Sequence, residues 1–180
     1  KGSPATSRRG KILEEGEFMK TIEAAPETVH WGYLSGVLEP VLTVESGGRV
    51  EVGTVSGLPE VAAGSPYDVP DALLAIHRSH VRRTIPGHIC TGPIRVPGAQ
   101  PGDVLQVDIE SVQPDSDWAY TGVRPLAGAL PYDFDKRDLS YIKIDREKRL
   151  AELPWDMTVP LRPFFGVLCT APPPEWGELS

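Results

Sequence analysis

Two-residue alternation of apolar and polar positions is the main pattern in this chain. Its clearest run is Leu105-Gln106-Val107-Asp108-Ile109-Glu110, the period of a half-buried strand. Upstream, Thr91–Val96 is separated from it by the turn dipeptides Pro97-Gly98 and Pro101-Gly102, so 91–110 reads as strand, turn, strand. Val41–Val44 and Arg49–Val52 flank Glu45-Ser46-Gly47-Gly48, whose glycine pair supplies positive φ, and predict a hairpin. A second hairpin is predicted at Tyr141–Ile144, turn Asp145–Lys148 and Arg149–Glu152. Helical periodicity occurs once, from about Pro70 to Arg83. There Leu73, Ile76, His77, His80 and Val81 share a face, Asp68 suits the N-cap and Pro86-Gly87 ends the pattern. Residues 56–68, 114–135 and 154–163 read as ordered loops.

Nineteen prolines and eighteen glycines in 180 residues favour short strands joined by rigid turns. The predicted fold class is therefore mainly β, sandwich- or barrel-like, with one short helix. The length suits one domain, placed at 26–180. Residues 1–25 form a basic-then-acidic N-terminal extension, expected to be flexible or partner-bound. Ser7-Arg8-Arg9 resembles a twin-arginine signal, but no apolar segment follows. The net charge of −7 disfavours a nucleic-acid partner, and no apolar run reaches the ~20 residues of a membrane span. Cys90 and Cys169 lack a CxxC context, so two reduced thiols and a cytoplasmic address are expected.

The wording of three segments goes further than their periodicity. TGPIRVPGAQPGDVLQVDI (91–109) resembles the signature of the acetamidase/formamidase family, hydrolases of small amides. Thr28-Val29-His30-Trp31-Gly32-Tyr33 with 40–50 resembles that family's opening segment and first hairpin, and Arg162–Pro172 resembles its PF-x-G-V…AP segment. The resemblance runs from 28 to about 180 and implies an acetamidase/formamidase-like β fold that hydrolyses a linear or cyclic non-peptide amide.

Amide hydrolysis at neutral pH needs a group that polarises the carbonyl, a nucleophile and an acid for the departing amine. His30, beside Trp31 and Gly32 at a strand end, could face a cleft with the indole shielding it. The bland reading is a buried histidine satisfied by a backbone carbonyl. The resemblance implies a catalytic or metal-binding role for His30; if a divalent metal is present, zinc is the first expectation, because imidazole and carboxylate ligands suit it. His88, in a loop entering the signature strand, is the second catalytic candidate, against a plain exposed loop residue. His77 and His80, spaced i,i+3, could share a metal but fit better as the rim of an amphipathic face. Asp103 suits turn closure, Glu39 and Asp108 suit exposed strand faces, and Cys90 suits packing.

The family's later GGN-x-D and GD-x-H motifs do not occur here. The resemblance therefore implies the N-terminal half of an amidase. The partner would be a second polypeptide carrying the C-terminal half, or a further copy, whether the end arises by truncation, separate encoding or precursor cleavage that frees an N-terminal nucleophile. The apolar run 164–168 reads as a strand that needs a neighbour. The competing expectation is a non-catalytic β-domain serving as scaffold or binding subunit.

Overall fold

A computed structural model describes residues 19–84 and 87–179. Mainly β is what it shows: twelve short strands lie in one four-stranded and four two-stranded sheets among the described residues. β1 (Lys20–Ile22) runs parallel to β5 (Val50–Val52), and β4 (Leu42–Thr43) runs parallel to β7 (Ile94–Arg95). β2 (Val29–Trp31) is antiparallel to β6 (Ile89–Thr91), and β3 (Leu34–Ser35) to β12 (Glu178–Leu179). The larger sheet is an antiparallel meander of β8 (Trp118–Val123), β9 (Asp138–Asp145), β10 (Leu150–Leu153) and β11 (Met157–Pro160).

The predicted 141–152 hairpin is the β9–β10 pair, in register Ile144 with Ala151. Its inward positions Ile142, Ile144 and Ala151 form one core cluster with Ala119, Leu153 and Val159. The 41–52 hairpin is not formed. Its turn is present, with Gly48 N–H donating to the Glu45 carbonyl at 2.8 Å, but the two arms diverge to distant partners. Val44 N–H bonds Arg95 and Gly53 N–H bonds Ile22, each at 2.8 Å. The first of these strands thus joins the signature segment and the second joins β1. β1 also moves the boundary expected at residue 25, because Lys20–Ile22 is tied into a sheet. Residues 1–18 of the expected extension lie outside the described residues.

α2 (Asp71–Arg78) is shorter than the predicted 70–83 helix. Ser79 takes extended backbone angles and turns both its N–H (3.2 Å) and its Oγ (2.7 Å) onto the Ile76 carbonyl, so the helix ends there. Asp68 does not cap it; Pro70 is the N-cap, and the Asp68 carbonyl instead accepts Trp118 Nε1 at 2.8 Å. A second helix, α1 (Pro59–Gly64), occupies a predicted loop, with Pro at N1 and Val61 and Ala62 buried. Tyr141 Oη donates to the Val61 carbonyl at 2.8 Å, fastening α1 to β9.

α2 buries Leu73 and Ile76. Ile76, Ala24 and Trp31 form the second core, with Val29, Val55, Leu58, Val81 and Ile89 against it. Two predicted strands do not form. Residues 104–110 make no ladder and expose their apolar side chains, and 164–168 likewise leaves Phe164 81% and Leu168 63% exposed. No helix among the described residues is long and apolar enough to cross a membrane.

Candidate active site

The site is built on the β2–β6 ribbon, where alternation divides the residues between two faces. Val29, Trp31 and Ile89 enter the core under α2. His30, paired with Cys90, projects to the other face. Gly32 N–H bonds the His88 carbonyl at 2.8 Å, so His88 lies across the ribbon one step beyond. Only glycine fits here: Gly32 has φ +83°, and a Cβ on it would stand 2.2 Å from the Thr84 carbonyl oxygen. Gly87 is equally constrained, since its Cβ would fall 2.0 Å from Gly32 Cα.

His30 is 8% exposed, and its Nδ1 lies 2.6 Å from the Tyr33 carbonyl oxygen. A carbonyl only accepts, so Nδ1 carries the proton and Nε2 holds the lone pair. Burial lowers the imidazole pKa below its ordinary value of 6.5, with the Tyr33 carbonyl opposing in part. The ring is therefore neutral at neutral pH. Nε2 has no hydrogen-bond partner among the described residues. Because no buried side-chain nitrogen or oxygen there lacks one, Nε2 keeps contact with solvent. His30 is thus a buried histidine with Nδ1 satisfied by a backbone carbonyl and Nε2 left without a protein partner among the described residues.

Trp31 does not shield His30, contrary to the expectation, because alternation sends it to the opposite face. It is buried between the His77 ring (centroids 5.5 Å apart, 23° interplanar) and the Arg83 guanidinium 4.8 Å from its own ring, with Nε1 on the Gly87 carbonyl. The aromatic neighbour of His30 is Tyr33, 5.6 Å away, itself covered by Arg82 at 4.1 Å. Tyr33 is the residue the sequence reading missed, although it ends the His30–Tyr33 segment that drew attention to His30.

His88 is exposed, and its ring has no partner among the described residues. His77 and His80 do not converge: His77 Nε2 meets the Gly57 carbonyl at 3.0 Å, while His80 is exposed. Cys90 has its thiol pKa raised by burial first and by nearby Cys169 second, which matches packing rather than nucleophilic use. Both cysteines are free. Asp103 closes its turn by accepting Gln100 N–H at 2.8 Å; Glu39 and Asp108 are exposed. Among the described residues no three His, Cys, Asp or Glu side chains converge to hold a metal. His30 offers one donor, so these residues by themselves do not fit a zinc site.

Residues 67–178 match the profile of the Acetamidase/Formamidase family, more than half of the chain. The chain belongs to the acetamidase/formamidase family. The match includes the 91–109 and 162–172 segments and His88, whereas His30 lies upstream of it. A 38-residue stretch is 47% identical to a putative formamidase of Schizosaccharomyces pombe, covering 20% of this chain and 9% of that protein. The fold is similar to the crystal structure of an acetamidase from Bacillus halodurans, with a TM-score of 0.56 at 18% identity over 84% of this chain. The chain spans 46% of that acetamidase.

Proposed function

We propose that this chain is the half of an amide hydrolase that contributes a histidine base, acting on small non-peptide amides, linear or cyclic. The observation that carries the reading is His30: a neutral imidazole with one nitrogen fixed on a backbone carbonyl and the other without a partner among the described residues, in a member of an amidase family. Nε2 takes a proton from water as its oxygen adds to the amide carbonyl. The same proton passes to the departing nitrogen as the C–N bond breaks, leaving ammonia or an amine and a carboxylic acid, whose remaining proton then goes to the released amine to give carboxylate and ammonium. On this reading His88, exposed on the same ribbon, donates to the carbonyl oxygen. The donors that His30 and His88 lack come, on this reading, from a second polypeptide or from the rest of a longer chain.

The test is ammonium release from formamide, acetamide and a small lactam by the assembly isolated through a tag on this chain. Release that falls at least about a hundredfold in His30→Ala, the usual contribution of one acid–base group, supports the reading. A folded assembly that releases no ammonium from any of these supports the scaffold alternative.

A further inference from the structure

The segment Val104–Glu110 belongs to no helix, turn or sheet. Gln106 Nε2 donates to both carboxylate oxygens of Asp108 at 3.1 Å, a contact between residues two apart that places both on one face of the segment. Leu105, Val107 and Ile109 occupy the other face and are 54%, 50% and 53% exposed. The segment does not hang loose, because Glu110 forms a two-pronged ion pair with Arg49 at 2.7 and 2.9 Å. An open trough of about 610 Å³, with Glu110, Gln113, Arg149 and Arg162 in its lining, separates it from Pro163 and the 164–168 stretch.

The total area says how much cover is missing. The chain exposes 14129 Å². A compact domain of this mass, even with residues 1–18 counted as wholly exposed, would expose only about 10,800 Å². The excess of about 3,300 Å² is larger than the roughly 1,000–2,500 Å² that one partner buries in a permanent interface, so it calls for extensive cover rather than a passing contact.

The geometry points to Val104–Glu110 as a docking strand for the part of the acetamidase-type fold that this chain does not span. The occupant lays an apolar layer on Leu105, Val107 and Ile109 while the Gln106–Asp108 face stays wet. The 46% coverage of the solved acetamidase favours this occupant over a second copy. The inference rests on the two-part assembly proposed above, but not on its chemistry.

Face-specific thiol labelling tests it. Val107→Cys and Gln106→Cys are each placed in a Cys90→Ser, Cys169→Ser chain and treated with a maleimide, alone and as the assembly isolated by a tag on this chain from its natural host. The expected result is that Val107→Cys labels readily in the isolated chain and at least about tenfold more slowly in the assembly, with Gln106→Cys changing little. Hydrogen exchange of the unsubstituted 104–110 amides gives the same answer should a variant misfold. Equal Val107→Cys labelling in both states overturns the proposal. So does protection in the isolated chain that disappears on dilution, which marks a second copy. Protection without ammonium release would leave the docking strand standing and remove the hydrolytic reading.

Discussion

The two ring nitrogens of His30 have separable jobs, and two substitutions divide them. Asparagine places an N–H donor near the Nδ1 position and nothing at Nε2; glutamine reaches the Nε2 position and vacates Nδ1. The Tyr33 carbonyl accepts only from His30 among the described residues, at 2.6 Å. Removing that donor leaves a half-buried carbonyl unsatisfied, a loss of about 1–3 kcal/mol. His30→Gln should therefore lower stability by that amount, moving the urea midpoint by roughly 1 M at a slope of about 2 kcal/mol/M. His30→Asn should keep most of the stability and lose the proton acceptor, with hydrolysis falling by about 10²–10⁴-fold.

Tryptophan fluorescence reads the first quantity well, because Trp31 is buried next to His30 in the chain. Ammonium release by the tagged assembly reads the second. A His30→Asn protein that is stable and turns over like the natural one would refute the Nε2 assignment. A His30→Gln protein as stable as the natural one would refute the Nδ1 hydrogen bond.

Burial lowers the His30 pKa below 6.5, so below pH 6.5 the unfolded chain binds a proton that the folded chain refuses. Its contribution to stability is complete above pH 6.5 and declines as pH falls toward the folded pKa. Urea midpoints between pH 7 and 5 should drop in the natural chain and less so in His30→Asn; identical slopes would count against it. Glu110 and Asp145, held low by Arg49 and Lys148, change protonation below their ordinary values of 4.5 and 3.8, outside this window. Gly32→Ala and Gly98→Ala form a second pair: both backbones have φ near +80°, but an added Cβ meets the Thr84 carbonyl at 2.2 Å in the first and nothing within 4 Å in the second. Gly98→Ala should cost about 1–2 kcal/mol from backbone conformation alone and Gly32→Ala distinctly more; equal urea midpoints would contradict the close approach.

What the sequence disclosed depended on how local the partners are. The β9–β10 hairpin was legible because both arms and the turn lie within 138–153 and alternate cleanly. The 41–52 pattern carried equally good strand signals, but the partners of its arms, Arg95 and Ile22, are distant in sequence. β8 and β11 were hidden because their outward positions, including Gly122, Thr121 and Pro160, carry turn or polar character. α1 was hidden by its six-residue length. In the site, His30 stood out from its neighbours Trp31, Gly32 and Tyr33. The approach of Cys169 to Cys90 across 79 positions had no local signal.

The placement of His30 depends on the residue that follows it. A one-residue slip of β2 against β6 would exchange faces, putting the indole of Trp31 in water and the imidazole in the core. The indole forbids that slip: it is 3% exposed, packs with Ile76 and Ala24, stacks on His77, and hydrogen-bonds the Gly87 carbonyl. Burying so large a ring is worth several kcal/mol at ~25 cal/mol per Å², more than the single hydrogen bond that orients His30. Register is thus set by hydrophobic burial on one face of the ribbon, and the polar geometry on the other face follows from it. His77, read from the sequence as half of a metal pair, belongs to that arrangement: its ring stacks on the indole while Nε2 holds Gly57, so it acts on His30 only through Trp31.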